Sequence, residues 1–351
     1  MSVVTGQSSA AAAGTSVSTA TPLAQRAFAA LGDGAFHSGE ALAEAAGVTR
    51  SAVWKSIESL RELGMQIEAV THRGYRLVHA AAALDAERMV AMLDPSVRAA
   101  LRRLDVDWSL PSTNVALLAR EPPPPGLCEV LLVEHQSAGR GRRGRRWLAS
   151  PGGSLCLSIG ASFDPLPRDL SSLSLAIGVC TLRALASRGA RGLQLKWPND
   201  LVTEAGKAGG ILIDLRAESG GPAYVVIGVG LNLRLADEDV AAVSATGTAA
   251  IDLRSVGVEP ADRNAIAAAL VGEYLRGLAQ FAQQGLAPFA AEWRDADGLR
   301  NRPVRVVAGV GETLGVARGI DASGALLLEL PDGQRQPVVA GEVSVRKLPS
   351  S

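Results

Sequence analysis

The chain has 351 residues, 47% of them hydrophobic, and 35 basic side chains balanced by 35 acidic ones. That length holds two or three domains with their own cores, and zero net charge excludes any global pull toward nucleic acid or a membrane surface, so such an attraction has to be local. Cys128, Cys156 and Cys180 are odd in number and widely spaced, which argues against a disulfide framework or a zinc site.

Residues 1–20 are almost entirely Ala, Ser, Thr, Gly and Val. Without a basic start and a leucine-rich stretch they do not form a secretory signal, and they read as a flexible tail. No apolar run reaches the length of a membrane span. The expectation is a cytoplasmic protein in a reducing compartment.

Over 21–80 the pattern predicts three short helices and a hairpin. Leu23 to Leu31 has helical apolar spacing, Ser38 can cap a second helix, and Gly47-Val48-Thr49 turns into a third. Val53, Ile57, Leu60 and Leu63 form the inner face of that third helix. Arg50, Ser51, Lys55, Glu58 and Ser59 form the outer one, with Trp54 between them. Two strands around Thr71-His72-Arg73-Gly74 follow. Helix, tight turn, helix and hairpin make a winged helix-turn-helix whose third helix enters the major groove. Arg50, Ser51, Lys55, His72 and Arg73 are its candidate DNA contacts. The alternative is a small helical packing or dimerisation module, because the strong basic excess of a high-affinity reader is missing.

Residues 81–90 read as a linker helix, and 81–298 alternate strand-like and helix-like stretches as a mixed α/β domain does. Ser112-Thr113-Asn114 offers two hydroxyls and an amide, fit for a neutral polar ligand or for a helix N-cap. The run Gly139-Arg140-Gly141-Arg142-Arg143-Gly144-Arg145-Arg146-Trp147 sits between two predicted strands, Val130–Val133 and Ser154–Ile159. Arginine supplies forked donors that fit phosphate, and glycine lets backbone amides approach a ligand. A solvated basic tract is the competing reading.

Only four cations of the chain are lysine: Lys55, Lys196, Lys207 and Lys347. Two of them fall within twelve residues, where a compact point charge is evidently wanted. Lys196 opens Lys196-Trp197-Pro198-Asn199-Asp200, and Asn199 and Asp200 could hold a magnesium-bound nucleotide or cap the turn after Pro198. Lys207 opens a strand through Gly209 and Gly210. Gly228-x-Gly230-x-Asn232 ends another strand, but it lacks the third glycine of a dinucleotide fingerprint, and no P-loop occurs. Lys196 and Arg142 must therefore meet phosphate by another route. From 299 to 348 short strands and turns such as Pro331-Asp332-Gly333 predict a small SH3-like barrel.

These motifs together, from about residue 22 to 346, resemble those of the bifunctional biotin-protein ligases that double as biotin operon repressors. The resemblance implies an enzyme that forms biotinoyl-adenylate from biotin and ATP, with Mg2+ as the nucleotide's ion, and then acylates a lysine of biotin carboxyl carrier protein. It further implies operator DNA as a partner and a homodimer when the adenylate is bound. Carried onto this chain, Ser112, Thr113, Asn114 and Gln136 would hold the biotin head, and Arg140, Gly141 and Arg142 would close over the adenylate. Lys196 would stand beside the reacting carboxylate and α-phosphate, with Arg142 as its catalytic companion. Arg145, Trp147, Asn199, Asp200, Lys207 and Asn232 would serve the nucleotide; no protein-held metal is implied. Two departures from the family are visible: Pro111 stands where an acidic residue is common, and 233–250 contain no aromatic to lie on adenine. A lipoate-protein ligase and a non-catalytic ligand-sensing repressor are the rival readings.

Overall fold

The computed structural model describes residues 23–167, 169–217, 222–236, 240–241, 249–308, 311–341 and 343–347. The expected 1–20 tail lies outside them. Three helices come first: α1 (Leu23–Leu31), α2 (Gly39–Ala46) and α3 (Arg50–Glu62). Ser38 Oγ accepts from the Ala41 N–H to start α2, Gly47 ends it in the left-handed region, and Thr49 accepts from Ala52 to start α3. Phe28, Leu31, Leu42, Val53, Ile57 and Leu60 close one core with Leu77 of the hairpin.

That hairpin pairs β1 (Ile67–Val70) with β2 (Gly74–Leu77) in antiparallel register. Its tip turns through His72 at φ 66 and Gly74 at φ 96. A side chain at Gly74 would sit 2.6 Å from the Ser38 Cα, so glycine is obligatory where the wing crosses the start of α2. The winged helix expected from the sequence is therefore present, with Arg50, Ser51, Lys55, His72 and Arg73 all exposed. Arg73 lies 4.0 Å over the Phe36 ring.

The linker helix is shorter than expected. It forms only as α4 (Ala86–Ala91), capped by Asp85, and is followed by α5 (Pro95–Arg98). The central domain is a seven-stranded mixed sheet built from β3 (Leu101–Leu110), β4 (Cys128–Gln136), β5 (Ser154–Phe163), β6 (Gln194–Lys196), β7 (Asp200–Val202), β8 (Lys207–Ala217) and β9 (Ala223–Asn232). The order is β3-β4-β5-β9-β8-β7-β6. Only β3 and β4 run parallel, and the crossover between them carries α6 (Thr113–Leu118).

Strand alternation gives the sheet two unlike faces. Leu155, Leu157 and Ile159 of β5, with Val225, Ile227, Val229 and Leu231 of β9, enter the large core. There they meet α7 (Leu173–Ala186) and α8 (Arg263–Gln284), while α9 (Ala290–Asp295) leads out of the domain. The opposite face carries Tyr224 and Val226, which pack with Leu117 of α6. Beyond them on that face stand Ser158, Gly228 and Gly230, too small to fill it.

The last domain is a five-stranded antiparallel sheet, ordered β13-β12-β11-β10-β14: β10 (Pro303–Ala308), β11 (Gly311–Ile320), β12 (Leu326–Glu329), β13 (Arg335–Val338) and β14 (Val343–Lys347). Among the described residues no ladder joins β13 to β14, so the expected barrel is realised as a sheet without that closing ladder. Strand β13 escaped sequence reading because Pro337 removes a ladder donor, which an edge strand tolerates. No described helix is long and apolar enough to cross a membrane.

One buried ion pair ties the linker to the central sheet. Arg263 of α8 donates to Glu134 Oε2 at 2.7 Å, and also to the carbonyls of Ala82 at 3.3 Å and Ser154 at 3.2 Å. The other Glu134 oxygen accepts the Leu84 N–H at 2.7 Å. The two side chains are 0% and 3% exposed. Arg263→Met would leave a buried carboxylate unpaired, so the urea midpoint should fall by the equivalent of about 3–5 kcal/mol. The double variant Arg263→Met with Glu134→Leu should recover most of that loss, and equal midpoints for the two variants would show that the single substitution acts only through packing.

Candidate active site

The arginine-glycine run is a closed loop held across its base. Arg140 bridges Arg146, the Gly141 N–H donates to the Arg145 carbonyl at 2.7 Å, and the Trp147 N–H donates to the Gly139 carbonyl at 2.9 Å. A single helical turn spans Arg142–Gly144, and Arg143 and Gly144 have φ of 58 and 69. The loop is thus a defined element between β4 and β5, with Arg142 half-buried and Arg140, Arg143, Arg145 and Arg146 exposed.

Its far end is fixed by two missing side chains. A Cβ on Gly230 would lie 2.5 Å from the Trp147 indole, and one on Gly228 would collide with the Asn114 amide. The Gly-x-Gly pair of β9 therefore makes room for Asn114 and Trp147 on the small-residue face of the sheet. Asn114 is then satisfied all round: Ser158 donates to its Oδ1 at 2.6 Å, and its Nδ2 donates to Asp214 at 2.9 Å and the Leu212 carbonyl at 3.2 Å. Gln136 Oε1 accepts the Thr113 N–H at 2.8 Å. Ser112 begins α6 without a side-chain capping bond.

These groups line a first cavity of about 120 Å³. Ser112, Thr113, Asn114, Gln136, Arg140, Gly141, Arg142, Arg145, Trp147, Asn199, Asp200 and Lys207 all reach it. Arg140 approaches Asp214 at 4.0 Å. Cys156 is also on the wall, but burial pushes its thiol up to about 12, so it stays protonated and is a poor nucleophile at neutral pH.

Lys196-Trp197-Pro198-Asn199-Asp200 is the turn of the β6–β7 hairpin, with Lys196 opposite Asp200. Trp197 is buried and donates to the Gly324 carbonyl at 3.0 Å, anchoring the hairpin to the C-terminal domain. Asn199 donates to the Ile211 carbonyl at 2.6 Å, so it pins the turn to β8. Asp200 pairs with Lys207 at 2.5 Å. Arg142 donates to Asn199 Oδ1 at 3.2 Å and to the carbonyls of Val343, at 3.4 Å, and Gly341.

A second and larger cavity, about 660 Å³, opens on the other side of this turn. Arg142, Arg143, Arg145, Lys196, Lys207, Arg346 and Lys347 line it, against the carboxylates of Asp200 and Glu204. Arg142, Arg145, Asn199, Asp200 and Lys207 belong to both cavities. Burial pulls Lys196 below the ordinary lysine range, with Asp200 opposing the shift and Lys207 and Arg145 adding to it. A cationic wall between a small polar chamber and a wider basic one suits the joining of a compact ligand to a polyanion.

Two expected site residues land elsewhere. Lys196 faces the second cavity and not the first, because its hairpin sits at the sheet edge. Asn232 reaches neither; it is buried and donates to the carbonyls of Lys207 and Ile251 at 3.3 and 3.0 Å, holding backbone where a nucleotide contact was expected. Sequence reasoning missed Ser158 and Asp214, the partners of Asn114. The available signal was Ser154, Ser158 and Ser162 recurring at even spacing in an otherwise apolar strand.

Fold and site together define a class: a two-chamber ligase domain between a helix-turn-helix module and a small β domain. The family model "Biotin/lipoate A/B protein ligase family" matches residues 110–232, "Biotin protein ligase C terminal domain" matches 301–346, and "HTH domain" matches 31–76. The bifunctional ligase/repressor BirA of Escherichia coli strain K12 is 38% identical over 318 residues, 90% of this chain and 95% of the relative. Its Salmonella typhimurium counterpart is 39% identical over 320 residues, with the same coverage. The biotin protein ligase of Aquifex aeolicus, solved with biotin and ATP, has the same fold at TM-score 0.60 and 23% identity, covering 70% of this chain and all of that one. The chain belongs to the biotin protein ligase family, in its bifunctional ligase/repressor branch.

The glycine floor generates a test. Gly230→Ala should expel Trp147 from its seat and release the loop whose base Trp147 closes. Trypsin should then cut between Arg140 and Arg146 several-fold faster than in the parent, while the far-ultraviolet circular dichroism is unchanged. An unaltered digestion rate would mean that the loop is anchored elsewhere.

Proposed function

We propose that this chain is an ATP-dependent biotin-protein ligase and a biotin-responsive transcriptional repressor, working in the cytoplasm. The observation that carries the ligase reading is the shared wall of Arg142, Arg145, Asn199, Asp200 and Lys207 between the two cavities. Biotin takes the first chamber, its head against Ser112, Thr113, Asn114 and Gln136. The nucleotide takes the second. A biotin carboxylate oxygen attacks the α-phosphorus, the bond to the β-phosphate oxygen breaks, and pyrophosphate leaves. A lysine amine of biotin carboxyl carrier protein then attacks the acyl carbon and expels AMP.

Bringing a carboxylate to a phosphate is opposed by their like charge, so fixed cations aimed at the developing pentavalent centre contribute most to lowering the barrier. Arg142 from the shared wall and Lys196 from the nucleotide chamber are those cations, and Arg140, Gly141 and Arg142 close the loop over the mixed anhydride to keep water out. Lys207, Arg145 and Trp147 serve the nucleotide side. A Mg2+ ion accompanying ATP would supply charge neutralisation at its phosphates, and Asp200, the carboxylate of the shared wall now paired with Lys207, would be the protein group to meet it. Asn199 and Asn232 position backbone. In this reading residues 21–80 are the DNA-binding domain, 81–298 the catalytic domain and 299–348 the C-terminal domain. The adenylate-bound form is a homodimer, since a two-fold protein reads a two-fold operator, and Arg50, Ser51, Lys55, His72 and Arg73 meet the DNA.

Biotin-dependent ATP–pyrophosphate exchange tests the ligase; exchange with lipoate and none with biotin would overturn it. In that assay Lys196→Gln should lose about 10²–10³-fold in rate while remaining folded. Because the catalytic form is the ammonium and its folded-state value is lowered, kcat/KM should decline as pH rises through a range below that of an ordinary lysine. Lys196→Arg should move that alkaline limb upward. A Lys196→Gln profile matching the parent would remove the residue from the chemistry.

Arg142 contributes to retention as well as to rate. Arg142→Gly removes the charge and the loop's links to Asn199 and to the C-terminal domain together, so adenylate should leave faster, as most affinity changes within one site appear in the off-rate. Incubated with biotin, ATP and serum albumin, the variant should biotinylate the albumin. Labelling confined to the carrier protein would show that Arg142 does not hold the intermediate.

A further inference from the structure

The chain contains five tryptophans, three tyrosines and five phenylalanines. All lie within the described residues, and Trp54 alone is exposed, at 53%. One exposed apolar side chain is ordinary on a protein surface. The place of this one is not. Trp54 is the fifth residue of α3, whose inner face is already complete with Val53, Ile57 and Leu60. Arg50 and Ser51 precede it by one turn on the outward face, Lys55 adjoins it, and all three are exposed. Glu58, a turn further on, is held by Arg61 at 2.7 Å. The outward face of the helix is thus an indole plate flanked by cations.

We infer that Trp54 is a base-reading residue of the recognition helix, and that it reads thymine through the C5-methyl group. The inference rests on the repressor reading. The early residues of a recognition helix meet base edges in the major groove, and the one apolar group exposed on those edges is the thymine methyl. Indole carries a single N–H donor and no acceptor, so it cannot receive the amino protons of cytosine or adenine; its N–H can be met by an acceptor on adenine, guanine or thymine alike, and its broad carbon surface is matched only by the thymine methyl. Arg50 and Lys55 grip phosphate, which sets the position of the helix without selecting sequence. Trp54 adds the selection that they lack.

The test uses the full chain with biotin and ATP and a random-sequence duplex library made with either dTTP or dUTP, since uracil differs from thymine by the methyl alone. Sequences enriched from the thymine library should bind the parent protein about five- to tenfold more tightly than their uracil versions. Trp54→Ala should bind both versions equally and keep its biotin ligase activity, while Trp54→Phe should retain part of the thymine preference. Bound duplex should also shield the iodide-accessible part of the tryptophan fluorescence. Enrichment with equal thymine and uracil affinities and undiminished iodide quenching would overturn the role of Trp54 while leaving the repressor reading intact. No enrichment from either library, with active ligase, would overturn both.

Discussion

Mutual repulsion among cations governs the architecture of this protein. Seven lysine and arginine side chains face one compartment with two carboxylates among them, and unit charges a few ångströms apart cost about 1 kcal/mol per pair even at the dielectric constant of water, more as water is excluded. Asp200 pairs Lys207 at 2.5 Å and Glu204 meets Lys347 at 3.4 Å, but two carboxylates do not balance seven cations. The surrounding scaffold holds them, through a loop closed at its base by Gly139 and Trp147, a hairpin turn nailed to β8 by Asn199, and a buried indole bonded to the C-terminal domain. The lowered position of Lys196 records that strain, since burial and its cationic neighbours both disfavour its proton. A bound polyanion relieves it.

Legibility in the sequence followed the range of the interactions. The arginine-glycine run and Lys-Trp-Pro-Asn-Asp stand out as local motifs of consecutive residues, although the partners of Trp197 and Asn199, Gly324 and Ile211, are supplied by the fold. The winged helix was legible for the same reason, because caps, turn glycines and helical spacing act within a few residues. The place of Asn232, bonded to the Lys207 and Ile251 carbonyls, was not legible because those partners are brought together only by the sheet. Ser158 and Asp214 were missed because they meet Asn114 from 44 and 100 residues away. The two glycines of β9 read in the sequence only as an incomplete dinucleotide fingerprint, and only the fold shows that they make room for Asn114 and Trp147.

The DNA-binding module is joined to the ligase by more than a tether. Its linker backbone ends in the buried Glu134–Arg263 pair and on Asn264, which accepts from Asp85 and donates to the Ala83 carbonyl. Phe28 of α1 lies 5.8 Å from Trp108 of β3. Arg263 and Asn264 begin α8, which lines the core beneath the catalytic sheet, so the orientation of the winged helix is set by the same helix that supports the strands of the site.

Arg142 has one guanidinium and three sets of claimants. In the resting protein its donors are divided between Asn199 at the shared wall and the Gly341 and Val343 carbonyls of the terminal sheet. A phosphate drawing that group inward would take it from the carbonyls, since the fork cannot point both ways. Occupancy of the chamber would then cost the last domain its Arg142 link and leave the Trp197 bond to Gly324 to fasten it.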